Sequence, residues 1–153
     1  MYTRQEASLL KQQFWTAFGQ YMAPIHSSEG LKINWVNYKT GMPHVHFKMD
    51  ADNEYADIGI VFSDPDKSKR TSYFEQFAQL MHILHDALGE EWNWDDYLRD
   101  ENDKINCKIY TRLPGVNIFR KDHWPLLISF FKPRIIALDS FWETARYVFD
   151  PLR

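Results

Sequence analysis

The chain has little of what several common chemistries require. Cys107 is the only cysteine among 153 residues, so an internal disulfide and a cysteine-ligated metal cluster are both excluded. The six glycines are dispersed and form no phosphate-binding glycine-rich loop. No Gly-x-Ser-x-Gly sequence marks a serine nucleophile. The sequence therefore argues against disulfide-stapled scaffolds, nucleotide-binding loops of the common type and serine hydrolases of the nucleophile-elbow type.

Long apolar runs and an excess of one charge are also missing. The formal net charge is −3, which gives no global attraction to nucleic acid or to an acidic membrane, although a local basic face is compatible with it. No apolar run approaches the roughly 20 residues of a membrane span, and the start of the chain, Met1 to Glu6, is polar. We expect a soluble cytoplasmic protein that folds as one domain over residues 1–153.

Aromatic residues are abundant, and most of them lie at periodic positions. The clearest case is residues 122–149, where apolar side chains recur in steps of three and four, as on a helix with one buried face. Asp122 can cap this helix, and Pro125 suits its first turn. Pro133 should kink it, and a break near Asp139 is the alternative to one bent helix, which we favour. The buried stripe is Trp124, Leu127, Ile128, Phe131, Ile135, Leu138, Trp142, Ala145 and Phe149.

Periodicity and turn residues predict seven further elements. Thr3 with Glu6, and Ser72 with Glu75, have the spacing of a capping box, and Gly89 is a usual helix stop. We predict helices over 3–23 and 72–88, and strands over 32–38, 44–50, 55–62, 91–99 and 105–113. Short connections imply antiparallel neighbours, and the outer strands are apolar on one face only. The expected fold is α+β, in the order αβββαββα: one antiparallel, or mostly antiparallel, sheet of about five strands with three helices on one face.

The element order invites comparison with restriction-endonuclease-like nucleases, which hold a divalent metal on an acidic residue and an acidic-x-lysine triplet. No Asp or Glu stands two positions before any Lys or Arg. Asp50, Asp52 and Asp57 could supply oxygen ligands, but carboxylates at a turn commonly bond to local backbone N–H groups. We therefore predict no intrinsic catalysis and no cofactor. A divergent metal-dependent nuclease-like enzyme is the alternative.

His44 and His46 are two positions apart on a predicted strand, so their imidazoles should project from one face. That spacing can chelate a transition metal if Asp57 or Asp50 on the neighbouring strand supplies a third ligand. The alternative, two exposed histidines on the solvent face, is favoured. His85 should be a hydrogen-bonded histidine at the edge of the core.

One strand face is basic with an aromatic residue between the cations: Lys108, Tyr110 and Arg112 alternate along it. Basic residues interleaved with aromatics suit a single-stranded nucleic-acid platform. Trp92 and Trp94 should lie nearby if the strands pair. Further basic residues in the loop before the second helix could assist: Lys67, Lys69 and Arg70. The favoured alternative is that the strand cations pair across the hairpin with Glu91, Asp95 or Asp96.

The final helix also carries a second apolar line, centred roughly 120° from its main stripe. Its residues are Leu126, Phe130, Ala137, Phe141 and Val148. The first helix could cover this line. Left exposed, it would mark an interface with a second copy of the chain. We predict a homodimer built around Phe130 and Phe141.

Several local sequences resemble an uncharacterised bacterial domain family of unknown function: Trp92–Asn93–Trp94, the strand from Cys107 to Leu113 with Pro114–Gly115–Val116, Asp122–His123–Trp124–Pro125, and Phe130–Phe131–Lys132–Pro133–Arg134. The resemblance covers nearly the whole chain. In that family the domain occurs alone or C-terminal to an endonuclease-like domain. The shared motifs are packing motifs, so no active-site residue carries over. The expected function is a binding or interaction module, with a protein partner, accessory to nucleic-acid processing or defence.

Overall fold

A computed structural model describes residues 2–152 of the chain. The helices are α1 (Arg4–Met22), α2 (Lys67–Gln79), α3 (Met81–Leu88) and α4 (Trp124–Ala145). The strands are β1 (Val45–Ala51), β2 (Tyr55–Phe62), β3 (Asn93–Arg99) and β4 (Ile105–Pro114). Short 3-10 turns, Lys121–His123 and Arg146–Leu152, flank α4. None of the helices in the described part is both long enough and apolar enough to span a membrane.

The four strands form one antiparallel sheet in the order β1–β2–β4–β3. Side chains alternate between its two faces because successive residues of a strand point in opposite directions. Phe47, Ile58, Ile60 and Ile109 lie on the face that packs into the core. The opposite face, called the open face below, carries the polar residues of β1 and β4. The α+β class and the antiparallel sheet were therefore predicted correctly, although five strands and three helices were expected and residues 2–152 form four of each.

Helix α4 lies at the centre of the core. Phe131 packs against Phe14 and Phe18 of α1, with ring centroids 6.3 and 5.9 Å apart. Trp142 meets Phe47 of β1 at 5.8 Å and the parallel ring of Phe77 of α2 at 5.9 Å. Aromatic pairs at these distances add to the stabilisation from buried apolar area. The stripe predicted from the sequence thus joins α1, α2 and the sheet into one cluster.

The strand predicted over residues 32–38 is not formed. The segment lies in a long connection between α1 and β1, where the Asn34 side-chain oxygen accepts hydrogen bonds from the backbone N–H groups of Val36 and Asn37. Such a local turn replaces the pairing that a strand would need. The buried indole of Trp35 donates to the Ile25 carbonyl oxygen. The β-branched and aromatic residues of this segment therefore pack as a loop.

The second predicted helix begins earlier and is divided. Asp66, rather than Ser72, caps α2, because its carboxylate accepts from the N–H groups of Ser68 and Lys69. Leu80 leaves the helical conformation, with φ −100° and ψ 12°, and separates α2 from α3. Gly89 ends α3 at φ +72°, as predicted. The capping interaction of Thr3 with Glu6 N–H is also present.

Helix α4 runs through Pro133 and Asp139 without a break, as favoured from the sequence. Its second apolar line is largely covered within the chain. Phe130 is 6% exposed and Phe141 is 4% exposed, and Phe141 packs against Phe77 of α2. Only Leu126 and Val148 are strongly exposed. The expectation that both phenylalanines form an exposed interface line is therefore wrong, because α2 covers part of it. Whether the chain dimerises stays a prediction.

Candidate functional site

The open face carries a cluster of charged and aromatic side chains around Asp57 of β2. The Asp57 carboxylate is buried and accepts from Arg112 Nη2 at 3.1 Å and from Lys108 Nζ at 3.4 Å. Both cations belong to β4, which pairs with β2 so that Arg112 is directly opposite Asp57. The ammonium of Lys108 also lies 4.8 Å from the centre of the Tyr110 ring. The carboxylate thus holds two cations against the sheet.

Gly59 provides the space for this cluster. Lys108 is opposite Val61, so its side chain must pass the Gly59 position to reach Asp57. A Cβ atom on Gly59 would lie 3.2 Å from Lys108 Cε, and 2.7 Å from both the Ile109 carbonyl oxygen and Tyr110 Cβ. These distances are shorter than ordinary van der Waals contacts. The close approach explains the glycine in the outward-facing set of β2.

Two tyrosines contact the guanidinium of Arg112. Its central carbon is 3.9 Å from the ring centre of Tyr55 and 5.7 Å from that of Tyr110. Tyr55 is 38% exposed and the Arg112 side chain 43% exposed. Cation–π contacts and the bond to Asp57 hold the guanidinium in place while much of its surface faces solvent. The set Tyr55–Arg112–Tyr110 is therefore an ordered amphipathic surface.

A groove of about 450 Å³ crosses this face and extends to the β3–β4 hairpin. No helical residue of the described chain lines it. Burial raises the pKa of Asp50 in this groove, and the nearby charge of Asp57, its partner in the register, adds to the effect. The charged lining is mixed, with the bases Lys48, Arg99, Lys108 and Arg112 beside the acids Asp50, Asp52, Asp57, Asp100 and Glu101.

The structure brings together the predicted trio of Lys108, Tyr110 and Arg112 on one solvent-facing surface. The partner of the two cations differs from the expected one, because they bond to Asp57 on β2 rather than to acids of the β3 hairpin. Trp94 is on the opposite face, where it packs against Phe74 of α2 and donates to His85. The predicted proximity of the tryptophans to the basic face is therefore wrong for Trp94. The core-edge role of His85 is confirmed.

Three basic residues were expected to assist nucleic-acid binding, but they lie at the start of α2 and do not line the groove: Lys67, Lys69 and Arg70. Arg70 is 7% exposed, and its guanidinium donates to the Asp64 carbonyl oxygen at 2.8 Å. It stabilises the loop before α2 and is not accessible for a phosphate. The prediction that Arg70 assists nucleic-acid binding is therefore wrong. Lys67 and Lys69, by contrast, are exposed.

The histidine pair and Asp57 do not converge. His44 precedes β1 and has a positive φ of 63°, so it does not continue the strand alternation. His46 is opposite Val61, four residues along β2 from Asp57, which corresponds to roughly 13 Å. Burial lowers the pKa of His46, and neighbouring Lys48 adds to this effect. Within residues 2–152 no three His, Cys, Asp or Glu side chains are grouped to hold a metal ion.

Sequence reasoning missed the parts of the cluster that depend on strand register. Asp57 was considered as a metal ligand, and Tyr55 and Lys48 were not assigned to a site. A glycine at an outward position of a predicted strand is the signal that the sequence offers, since it suggests either a bulge or a close backbone approach. Only the pairing of β2 with β4 shows that the approaching side chains are Lys108 and Tyr110.

Comparison with known proteins gives a family and no described activity. No curated protein and no solved structure matches the chain. A family model described as a domain of unknown function, DUF4268, matches residues 10–146. This range contains every strand, α2 to α4 and the whole open-face cluster. The chain therefore belongs to the DUF4268 family of domains of unknown function.

Proposed function

We propose that this chain is a protein-interaction module and that the open face of its sheet is the contact surface. The observation that carries the proposal is the set Tyr55–Arg112–Tyr110, fixed by Asp57 beside a groove that no helical residue of the described chain lines. Tyrosine and arginine are the residue types that most often supply binding energy at protein interfaces. A pre-positioned arginine also loses less side-chain freedom on binding.

The charge of the groove favours a protein partner over a polyanion. Its four basic residues stand beside five acidic ones, and the two central cations already share a carboxylate. A partner surface with both signs of charge could complement this lining, whereas a phosphate backbone would meet repulsion from the acids. The groove therefore fits a protein surface that offers carboxylates near Lys48 and Arg112 and basic groups near Asp100 and Glu101.

Affinity capture with matched variants tests the proposal. The tagged chain, Arg112→Ala and Arg120→Ala are each incubated with nuclease-treated native lysate, and bound proteins are identified by mass spectrometry. Arg120 is a suitable control because it is exposed, pairs with Asp122 and lies outside the groove. We expect a protein retained by the wild type and Arg120→Ala but depleted with Arg112→Ala. Equal retention by all three would contradict the proposal.

Single-stranded nucleic acid is the second candidate ligand, because Lys108, Tyr110 and Arg112 form a basic surface with an aromatic ring. Lys48 on β1 is opposite Gly59 and adds a third cation. Fluorescence anisotropy with labelled single-stranded DNA and RNA at low salt tests this candidate. Binding that falls steeply with salt and is lost in a Lys108→Glu, Arg112→Glu variant would favour it over the protein partner. Unchanged anisotropy at tens of micromolar protein would remove it.

The wider setting is part of the same proposal. We place the module in the bacterial cytoplasm, as one domain without catalysis of its own, accessory to nucleic-acid processing or defence. A second copy of the chain is another candidate partner. Because Phe130 and Phe141 are buried, such a homodimer would use the exposed ends of the predicted line, Leu126 and Val148, or the open face. Light scattering after size exclusion distinguishes a monomer from a dimer.

A further inference from the structure

Strand β1 forms one edge of the sheet and has β2 as its neighbour, so half of its backbone groups point outward. Ser63 N–H donates to the His44 carbonyl oxygen, which shows that the even-numbered residues of β1 bond to β2 in the antiparallel register. The odd-numbered residues direct their N–H and C=O groups away from β2. No hydrogen bond within residues 2–152 reaches these groups in Phe47 or Met49. Buried backbone groups are almost always bonded, so the outward groups of both residues face solvent.

The long connection from α1 to β1 reaches this edge at its start. The Thr40 hydroxyl donates to the outward carbonyl oxygen of Val45 at 2.7 Å. Further back, Ser28 N–H and the Tyr38 hydroxyl donate to the Asp139 carboxylate, which ties the connection to α4. No hydrogen bond within residues 2–152 holds the connection against the edge beyond Val45. The open part of the edge therefore begins after Val45.

A second copy of β1 could pair with this edge in a few two-fold antiparallel registers, and charge distinguishes them. A two-fold axis at Lys48 places two lysines opposite each other, and an axis at Asp50 places two aspartates opposite each other. An axis at Phe47 requires the outward groups of Val45, which are already bonded. An axis at Met49 places Lys48 opposite Asp50 of the second copy, and does so twice by symmetry. Opposite charges in directly facing positions stabilise a strand pair, whereas like charges destabilise it.

The backbone and side-chain bonds fit the same register. With the axis at Met49, the outward groups of Met49 meet those of Met49 in the second copy, and the outward groups of Phe47 meet those of Ala51. Ala51 N–H bonds within the single chain to Asp50 Oδ1 at 2.9 Å. The Phe47 carbonyl oxygen of the second copy can replace that acceptor, which frees the carboxylate for Lys48. The Lys48 ammonium makes no hydrogen bond or ion pair within residues 2–152.

We propose that two copies of the chain pair along their β1 edges, antiparallel about Met49, and join their four-stranded sheets into one continuous sheet. Two contacts between Lys48 of one copy and Asp50 of the other fix the register. A lysine on an edge strand commonly discourages such pairing, but here the facing position carries a carboxylate. The backbone edge makes this contact, and the open-face cluster takes no part in it, so the proposal goes beyond the proposed function and does not rest on it.

Sedimentation equilibrium of the purified chain, from micromolar to millimolar concentration, tests the proposal. We expect a reversible monomer–dimer equilibrium, because an interface of this size gives weak association. Lys48→Asp and Asp50→Lys should each weaken association at least about tenfold, because each places like charges opposite each other twice. The Lys48→Asp, Asp50→Lys double variant should restore it. Lys104→Asp is the matched control, since Lys104 is exposed in the β3–β4 hairpin, and it should leave association unchanged.

A monomer mass for the wild type at millimolar concentration would overturn the proposal. A dimer that is equally strong in Lys48→Asp, or that the double variant does not restore, would refute the assigned register.

Amide hydrogen exchange followed by NMR shows whether the strand edge makes the contact. The Phe47 and Met49 amides should exchange at least about tenfold more slowly in concentrated than in dilute samples, because they become bonded in the dimer. The Val45 amide already donates to the Met42 carbonyl oxygen and serves as the internal control. Exchange rates of Phe47 and Met49 that do not change while the mass doubles would place the interface elsewhere and refute the proposal.

Discussion

Substituting Gly59 by alanine should destabilise the fold and disturb the open-face cluster together. The added Cβ would meet two atoms of β4 at 2.7 Å, the Ile109 carbonyl oxygen and Tyr110 Cβ. Neither is at the end of a flexible side chain, so relief requires the backbones of β2 and β4 to separate at the centre of the sheet. The third contact, with Lys108 Cε at 3.2 Å, would displace the ammonium from Asp57.

The expected magnitude follows from two opposing effects. Overpacking of a well-packed site costs about 1–3 kcal/mol. Alanine recovers about 0.4–1 kcal/mol, because it restricts the unfolded chain more than glycine does. The difference is a net loss of up to about 2.6 kcal/mol in the free energy of unfolding, and mid-range values of the two effects give about 1.3 kcal/mol. For a chain of this size the melting temperature should fall by roughly 2–8 °C.

Urea denaturation followed by tryptophan fluorescence measures this loss, and Gly19→Ala is the matched control. Gly19 lies inside α1, where the nearest atom to a new Cβ is Val36 Cγ2 at 3.4 Å, an ordinary contact. The same substitution should there stabilise by about 0.5–1 kcal/mol, because alanine is the better helix former. If Gly59→Ala is as stable as the wild type, the close approach of Lys108 and Tyr110 over β2 is refuted.

Three further substitutions should change the stability of the fold in a direction that follows from the structure. Burial raises the pKa of Asp50, so the folded state loses stability as the pH rises through that pKa. Asp50→Asn should therefore raise the melting temperature at neutral pH but not in acid. Thermal denaturation at a series of pH values measures this difference. Burial alone would raise the pKa of Glu90, but hydrogen bonds from Arg134 and a neighbouring indole hold that pKa below its usual range. Arg134→Met should therefore lower the free energy of unfolding by about 1 kcal/mol in urea denaturation at pH 7, and by less as the pH falls through the pKa of Glu90. An equal loss in acid would contradict the pairing. Asp139→Ala removes the acceptor of both Ser28 N–H and the Tyr38 hydroxyl. It should cost about 1–3 kcal/mol and increase protease sensitivity in residues 24–44. Full protection would refute the tie to α4.

The sequence predicts those parts of the fold that local periodicity determines. Strict alternation of Val45, Phe47 and Met49 identified β1, and steps of three and four residues identified α4. Residues 32–38 have the composition of a strand, but Asn34 and Trp35 make local and loop contacts instead. Composition alone does not distinguish a strand from an ordered loop with buried aromatic residues. The break at Leu80 likewise has no proline or glycine to mark it.

The candidate site was predicted in part for the same reason. Lys108, Tyr110 and Arg112 share a strand face by alternation, which needs only the sequence. Their bond to Asp57 requires the order of strands, because β3 and β2 are both neighbours of β4 and only one of them supplies the carboxylate. The buried position of Phe141 depends on α2 in the same way. Contacts between distant segments therefore set the limit of the sequence argument.

Photo-crosslinking in native lysate tests the open face as a contact surface most directly. Benzoyl-phenylalanine is placed at Tyr55 on the open face, or at Ile83 on α3 as a control that is 60% exposed. We expect a discrete protein adduct from position 55, which the untagged wild-type chain competes away and which is absent from position 83. Adducts that form equally from both positions, or only from position 83, would show that the open face is not the contact surface.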